Sequence, residues 1–107
     1  MKHWFIDDTA EGLPSWREAM PQAAFVGRAA LGQLPKNEEA VFWVRLRAGR
    51  PLESCLPVEH GPAQFVVLLC DEPEEGLVVQ ALATGAAGCC NTHAAPEVLR
   101  QVALVVG

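Results

Sequence analysis

Aspartate is scarce in this chain of 107 residues, occurring only as Asp7, Asp8 and Asp71, and no lysine follows Lys36. Both shortages bear on phosphate and magnesium chemistry, which draws on clustered carboxylates and fixed cations. No apolar run approaches the roughly 20 residues needed to cross a bilayer, so a membrane-spanning helix is excluded. A net charge of −5 argues against direct contact with nucleic acid, whose phosphates must be neutralised by clustered cations. A DNA-binding function would require a further domain. The opening MKHWFIDD turns acidic at once and has no signal-peptide core, so a cytoplasmic location is expected. Cys55, Cys70, Cys89 and Cys90 lack the paired spacing of a zinc site, and a chain that is 50% hydrophobic can build a core without disulfide staples. Small buried thiols are the expectation.

What is present alternates strand and helix. His3 to Ile6 reads as a first strand ending at Asp7-Asp8. Leu13 to Met20 has Pro14 in its first turn and apolar residues at Leu13, Trp16 and Met20, which predicts a helix stopped by Pro21. Ala23 to Val26 is a second strand, and Ala29 to Leu34 a short helix before a turn at Lys36-Asn37. Ala40 to Leu46 is apolar almost throughout, as a parallel strand covered on both faces should be. Pro51 to Gly61 is irregular, with room for one turn at Leu52 to Leu56. Phe65 to Leu69 is a further buried strand.

Glu74 to Ala83 carries Leu77, Val78, Ala81 and Leu82 as an amphipathic stripe. Ala87 to Cys90 is a short strand, whose adjacent cysteines point to opposite faces. Pro96 to Val106 is a last helix, with Val98, Leu99, Val102 and Val105 expected on its inner side. Five strands and about five helices in one domain, 1–107, predict an α/β fold: a flavodoxin-like, doubly wound five-stranded parallel sheet.

The text from Phe65 to Val106, with ATGAAG before the last strand and HAAPEVLRQV after it, resembles the second half of a bacterial response-regulator receiver domain of the LuxR/NarL type. Asp7-Asp8 after HWFI is similar to that family's acid pair. The resemblance implies a phosphorylation site at the carboxyl ends of the strands: a magnesium-holding acid pair, a phosphoacceptor aspartate, a Ser or Thr, and a lysine. Laid on that pattern, Asp7 and Asp8 hold the acid-pair positions, where they could hold a hard cation or merely cap the next helix. The phosphoacceptor position falls on Val44, or one register later on Arg45, where a guanidinium could only sit in place of the cation. Cys70 stands at the Ser/Thr position, Thr92 at the lysine position, and Cys89 where the family's switching aromatic belongs.

These departures remove phosphotransfer. The resemblance then implies a non-enzymatic regulatory domain in bacterial transcription, without a cofactor. It would act by dimerisation or by binding a regulatory partner through the last helix–strand–helix face, at Leu77, Val78, Ala81, Val98, Arg100, Gln101 and Val105. Arg45, Arg47 and Arg50 form either an anion or partner site or a rim paired with the acidic run 71–75. A second reading is a small-molecule or redox sensor using the crevice near Cys70 and His93, by thiol chemistry or a metal.

Overall fold

The computed structural model describes residues 2–34, 38–46, 64–71 and 85–106, with positions 76, 79, 80 and 83. The stretch Pro51 to Gly61, the turn at Lys36-Asn37, and Arg47, Arg50, Cys55, Leu77, Val78, Ala81 and Leu82 lie outside the described residues. Gly76, Val79, Gln80 and Ala83 are helical, within the amphipathic stretch read from the sequence.

The described strands are β1 (Lys2–Asp7), β2 (Ala24–Gly27), β3 (Ala40–Arg45), β4 (Gln64–Cys70) and β5 (Gly88–Asn91). They form one sheet in the order β2-β1-β3-β4-β5, and every pairing is parallel. This is the flavodoxin-like order, in which the chain reverses its winding direction between β1 and β3. All six residues of β3 are buried. Val41 and Trp43 face one side, and Ala40, Phe42 and Val44 the other, which is why the strand is continuously apolar.

The helices α1 (Pro14–Ala19) and α2 (Pro96–Val106) pack on the Val41–Trp43 side. Pro14 starts α1, and Trp16 is fully buried at its centre. Phe5 is the hub of this layer. Its ring stacks against Trp16, Phe25 and Trp43 with centroid separations of 5.1, 5.4 and 5.2 Å, a spacing at which aromatic pairs gain beyond their buried area. The indole Nε1–H of Trp16 donates to Thr92 O at 3.0 Å, fastening α1 to the loop after β5. On this same side, Arg100 of α2 donates to the carbonyl oxygens of Ala19 and Glu18.

The opposite layer holds Ile6, Phe42, Val44, Val66, Leu68 and Cys70. The short helix expected at Ala29 to Leu34 is a 3-10 helix, Arg28–Gln33, with Leu34 packed into this layer. Six residues are too few to sustain α-helical nucleation without strong packing, and short helical pieces commonly tighten this way.

The last helix corrects one expectation. Val98 and Val105 do not face inward: they are 44% and 87% exposed, as is Leu104 at 81%. The inner stripe is Leu99, Val102, Ala103 and Val106. A helix buries an arc with i, i+3, i+4, i+7 spacing, and anchoring on the fully buried Leu99 rotates Val98 and Val105 off that arc.

Candidate functional site

In an open parallel sheet, side chains at the carboxyl ends of neighbouring strands converge on a crevice. Here β1 ends at Asp7, β3 at Arg45 and β4 at Cys70, followed by Asp71. Arg45 occupies the centre. Its Nη1 donates to Asp7 Oδ2 at 2.9 Å, and its Nε and Nη2 grip the two oxygens of Asp71 at 3.0 and 2.8 Å. The second contact is a bidentate fork, the strongest geometry available to an arginine and a carboxylate. The guanidinium and Asp7 side chains are only 10% and 8% exposed, whereas Asp71 is 37% exposed. The hydrogen bond with Asp71, and then Asp7, hold the Arg45 guanidinium charged well above its ordinary range, outweighing its partial desolvation.

A second arginine closes the network. Arg28, first residue of the 3-10 helix after β2, donates from Nε to Asp8 Oδ1 at 3.0 Å and from Nη2 to the Arg45 carbonyl at 2.6 Å. Asp7 Oδ1 also accepts the Asp8 amide at 2.7 Å. The two adjacent aspartates thus diverge, Asp7 inward to Arg45 and Asp8 outward to Arg28. Among the described residues, no three metal-ligating side chains are grouped together.

Of Val44 and Arg45, only Arg45 takes part in the hydrogen-bond network at the strand ends. Val44 is fully buried in the apolar layer, while Arg45 reaches the crevice. Thr92 is fully buried in the turn after β5, held by its amide to Cys70 O at 3.0 Å and by its carbonyl to Trp16. Its Oγ1 has no hydrogen-bond partner among the described residues. Cys70 Sγ lies 3.1 Å from Cys89 Sγ. His93 is exposed, and its amide is capped by Asn91 Oδ1, so no hydrogen bond joins it to Cys70 among the described residues. Of the crevice residues named from the sequence, the structure joins Cys70 to Cys89.

Of the interface residues read from the sequence, Val98, Gln101 and Val105 stand on the outer side of α2, and Arg100 has its guanidinium committed to α1 carbonyls. Asp71 was legible as a partner for the arginines, through the charge complement of 45–50 and 71–75. Arg28 was not singled out. The signal that could have found it is its position directly after Gly27, at the end of β2 and hence at the same rim. The thiol pair was hidden because Cys70 and Cys89 lie on different strands.

No family model, curated protein or solved structure matches this chain. A functional reading therefore rests on the fold and on this site. No helix among the described residues is long and apolar enough to cross a membrane.

Proposed function

We propose that this chain is a receiver-like regulatory domain whose acidic crevice is permanently filled by its own cation. It acts, with no catalytic step of its own, by binding a second copy of itself or a regulatory protein, in the cytoplasm and in bacterial transcriptional control. The observation that carries this reading is Arg45 held between Asp7 and Asp71 at the carboxyl end of β3. A receiver needs a phosphorylatable carboxylate at that strand end and a free acid pair for magnesium. Here the corresponding position carries a guanidinium that already neutralises the neighbouring acids, and an incoming divalent cation would meet its charge at close range.

The fold alone hosts many functions, so the crevice, not the sheet, supports the assignment. The outer side of α2 supports the mode of action. Val98, Leu104 and Val105 leave apolar side chains exposed on one helix, area available for a partner to cover.

Two measurements test the proposal. Magnesium with beryllofluoride, a phosphoryl mimic, is expected to leave the tryptophan fluorescence and amide spectrum unchanged; a saturable shift would overturn the filled-crevice reading. Light scattering coupled to size exclusion is expected to give a dimer that Val105→Glu converts to monomer. A chain that stays monomeric at all concentrations, and captures no regulatory protein from its own cell, would remove the interaction reading.

A further inference from the structure

Two thiols on adjacent strands approach each other without being bonded. Cys70, at the end of β4, is 1% exposed, and its Sγ is 3.1 Å from the Sγ of Cys89 in β5. Cys89 is partly exposed, whereas its neighbour Cys90 packs on the opposite face of the sheet with Trp16 and Leu99. The pair is thus singled out by the pleat: one buried thiol, one reachable thiol, on one face, about 1 Å beyond the length of an S–S bond.

We propose that Cys70 and Cys89 form a reversible disulfide, making the β4–β5 edge a thiol–disulfide switch that answers to low-molecular-weight disulfides such as oxidised glutathione. This inference does not depend on the receiver-like reading. Cys89 is the attacking group, because it is the reachable one of two thiols that share a hydrogen bond. That hydrogen bond draws Cys89 below the ordinary thiol value, to about 7, and pushes Cys70 up. The Cys89 thiolate attacks one sulfur of oxidised glutathione, breaking its S–S bond, forming a mixed disulfide and releasing a glutathione thiolate. Cys70 gives its proton to that thiolate and attacks Cys89 Sγ. The mixed disulfide breaks, the second glutathione leaves as a thiolate, and it takes a proton from solvent. Two protein thiols are oxidised, and one glutathione disulfide is reduced to two thiols.

The sheet register gives the switch a structural output. Leu68 pairs with Cys89 and Cys70 with Asn91, so the two cysteines are diagonal neighbours. An offset of two residues at about 3.3 Å each, across strands about 4.8 Å apart, puts such Cα atoms about 8 Å from each other, beyond the usual span of a disulfide. Closing the bond therefore draws the β5 end along β4 and shifts the Asn91–Thr92 turn, which is tied to Cys70 O and to Trp16. A disulfide under such strain is readily reduced, which suits a switch better than a staple.

The test uses the whole reduced chain in defined glutathione redox buffers at neutral pH, followed by acid quenching, alkylation and mass measurement. Digestion after glutamate separates Cys55, Cys70 and the Cys89–Cys90 pair into three peptides, because Glu59 and Glu74 lie between them. The expected result is loss of two hydrogens, a cross-link joining the Cys70 peptide to the Cys89–Cys90 peptide, and full reversal by a dithiol reductant. Cys90→Ser should keep the cross-link, and Cys89→Ser should abolish it. Stable glutathione adducts without loss of two hydrogens, a cross-link to Cys55, or a Cys70 cross-link formed only in denaturant would each overturn the proposal. The wild-type and Cys90→Ser maps decide the matter even if a variant at Cys70 fails to fold.

Discussion

Replacing Arg45 by methionine keeps an apolar stem of similar length and removes the charge between Asp7 and Asp71. Both acids lose a partner, but not equally. Asp7 is buried, with its side chain 8% exposed, so its carboxylate is left charged in a poorly solvated site. Breaking a buried ion pair by deleting one member costs about 3–5 kcal/mol. Asp71 is 37% exposed, and water can replace its fork, so its share is about 0–1 kcal/mol. The expected loss for Arg45→Met is therefore about 3–5 kcal/mol, dominated by Asp7, against a total of about 5–15 kcal/mol for an ordinary domain.

Urea unfolding followed by tryptophan fluorescence reads this loss as a fall in midpoint of about 1–5 M, taking a slope of about 1–3 kcal/mol/M. The decisive comparison is the double variant Asp7→Asn with Arg45→Met. The side-chain amide oxygen that Asp7→Asn introduces can still accept the Asp8 backbone N–H, but no charge is orphaned, so the double variant should be more stable than Arg45→Met alone. A loss below about 1 kcal/mol for Arg45→Met would refute the claim that a buried pair organises the crevice. A double variant no better than the single one would do the same.

Four further outcomes are expected. Gly12 has φ +70°, and a Cβ there would lie 2.5 Å from Phe25 Cδ1, so Gly12→Ala should destabilise by about 1–3 kcal/mol in chemical denaturation. His3 Nδ1 accepts the Trp43 indole N–H at 3.1 Å, and burial lowers its pKa below the ordinary value. The unfolded chain then binds the proton more readily than the folded one. Stability is complete above about pH 6.5 and falls as pH drops through the lower folded value; His3→Gln should flatten that part of the stability–pH curve, and an unchanged slope would count against the bond. Leu99→Ala should cost about 2–5 kcal/mol by opening a cavity under α2. Leu104→Ala, at a residue 81% exposed, should stay within about 0.5 kcal/mol by the same melt, measured where the chain is monomeric.

The local text by itself determined the element order and the class of fold. Apolar runs at 40–46 and 65–69 can be satisfied only where both faces of a strand are covered, and strands alternating with helices must cross over to pair in parallel. Pro14 and Pro96 marked the helix starts correctly, because a fixed φ and a missing N–H suit that position alone. That the third strand ends in arginine and not in aspartate was equally legible, since it is a statement about residue identity.

Tertiary structure decided what those residues do. Whether Val44 or Arg45 meets the crevice depends on the strand's last pleat, and one residue of register exchanges core for rim. The rotation of α2 was fixed by how Leu99 seats against the sheet, which sequence periodicity reads only to within a residue, and so Val98 and Val105 were placed inward when they are exposed. The two contacts that define the site's chemistry, Arg45 with Asp7 across 38 residues and Cys70 with Cys89 across 19, join strands that are neighbours only after folding. Spacing along a chain carries no information about such approaches; the parallel sheet creates them by bringing the carboxyl ends of its strands to one edge.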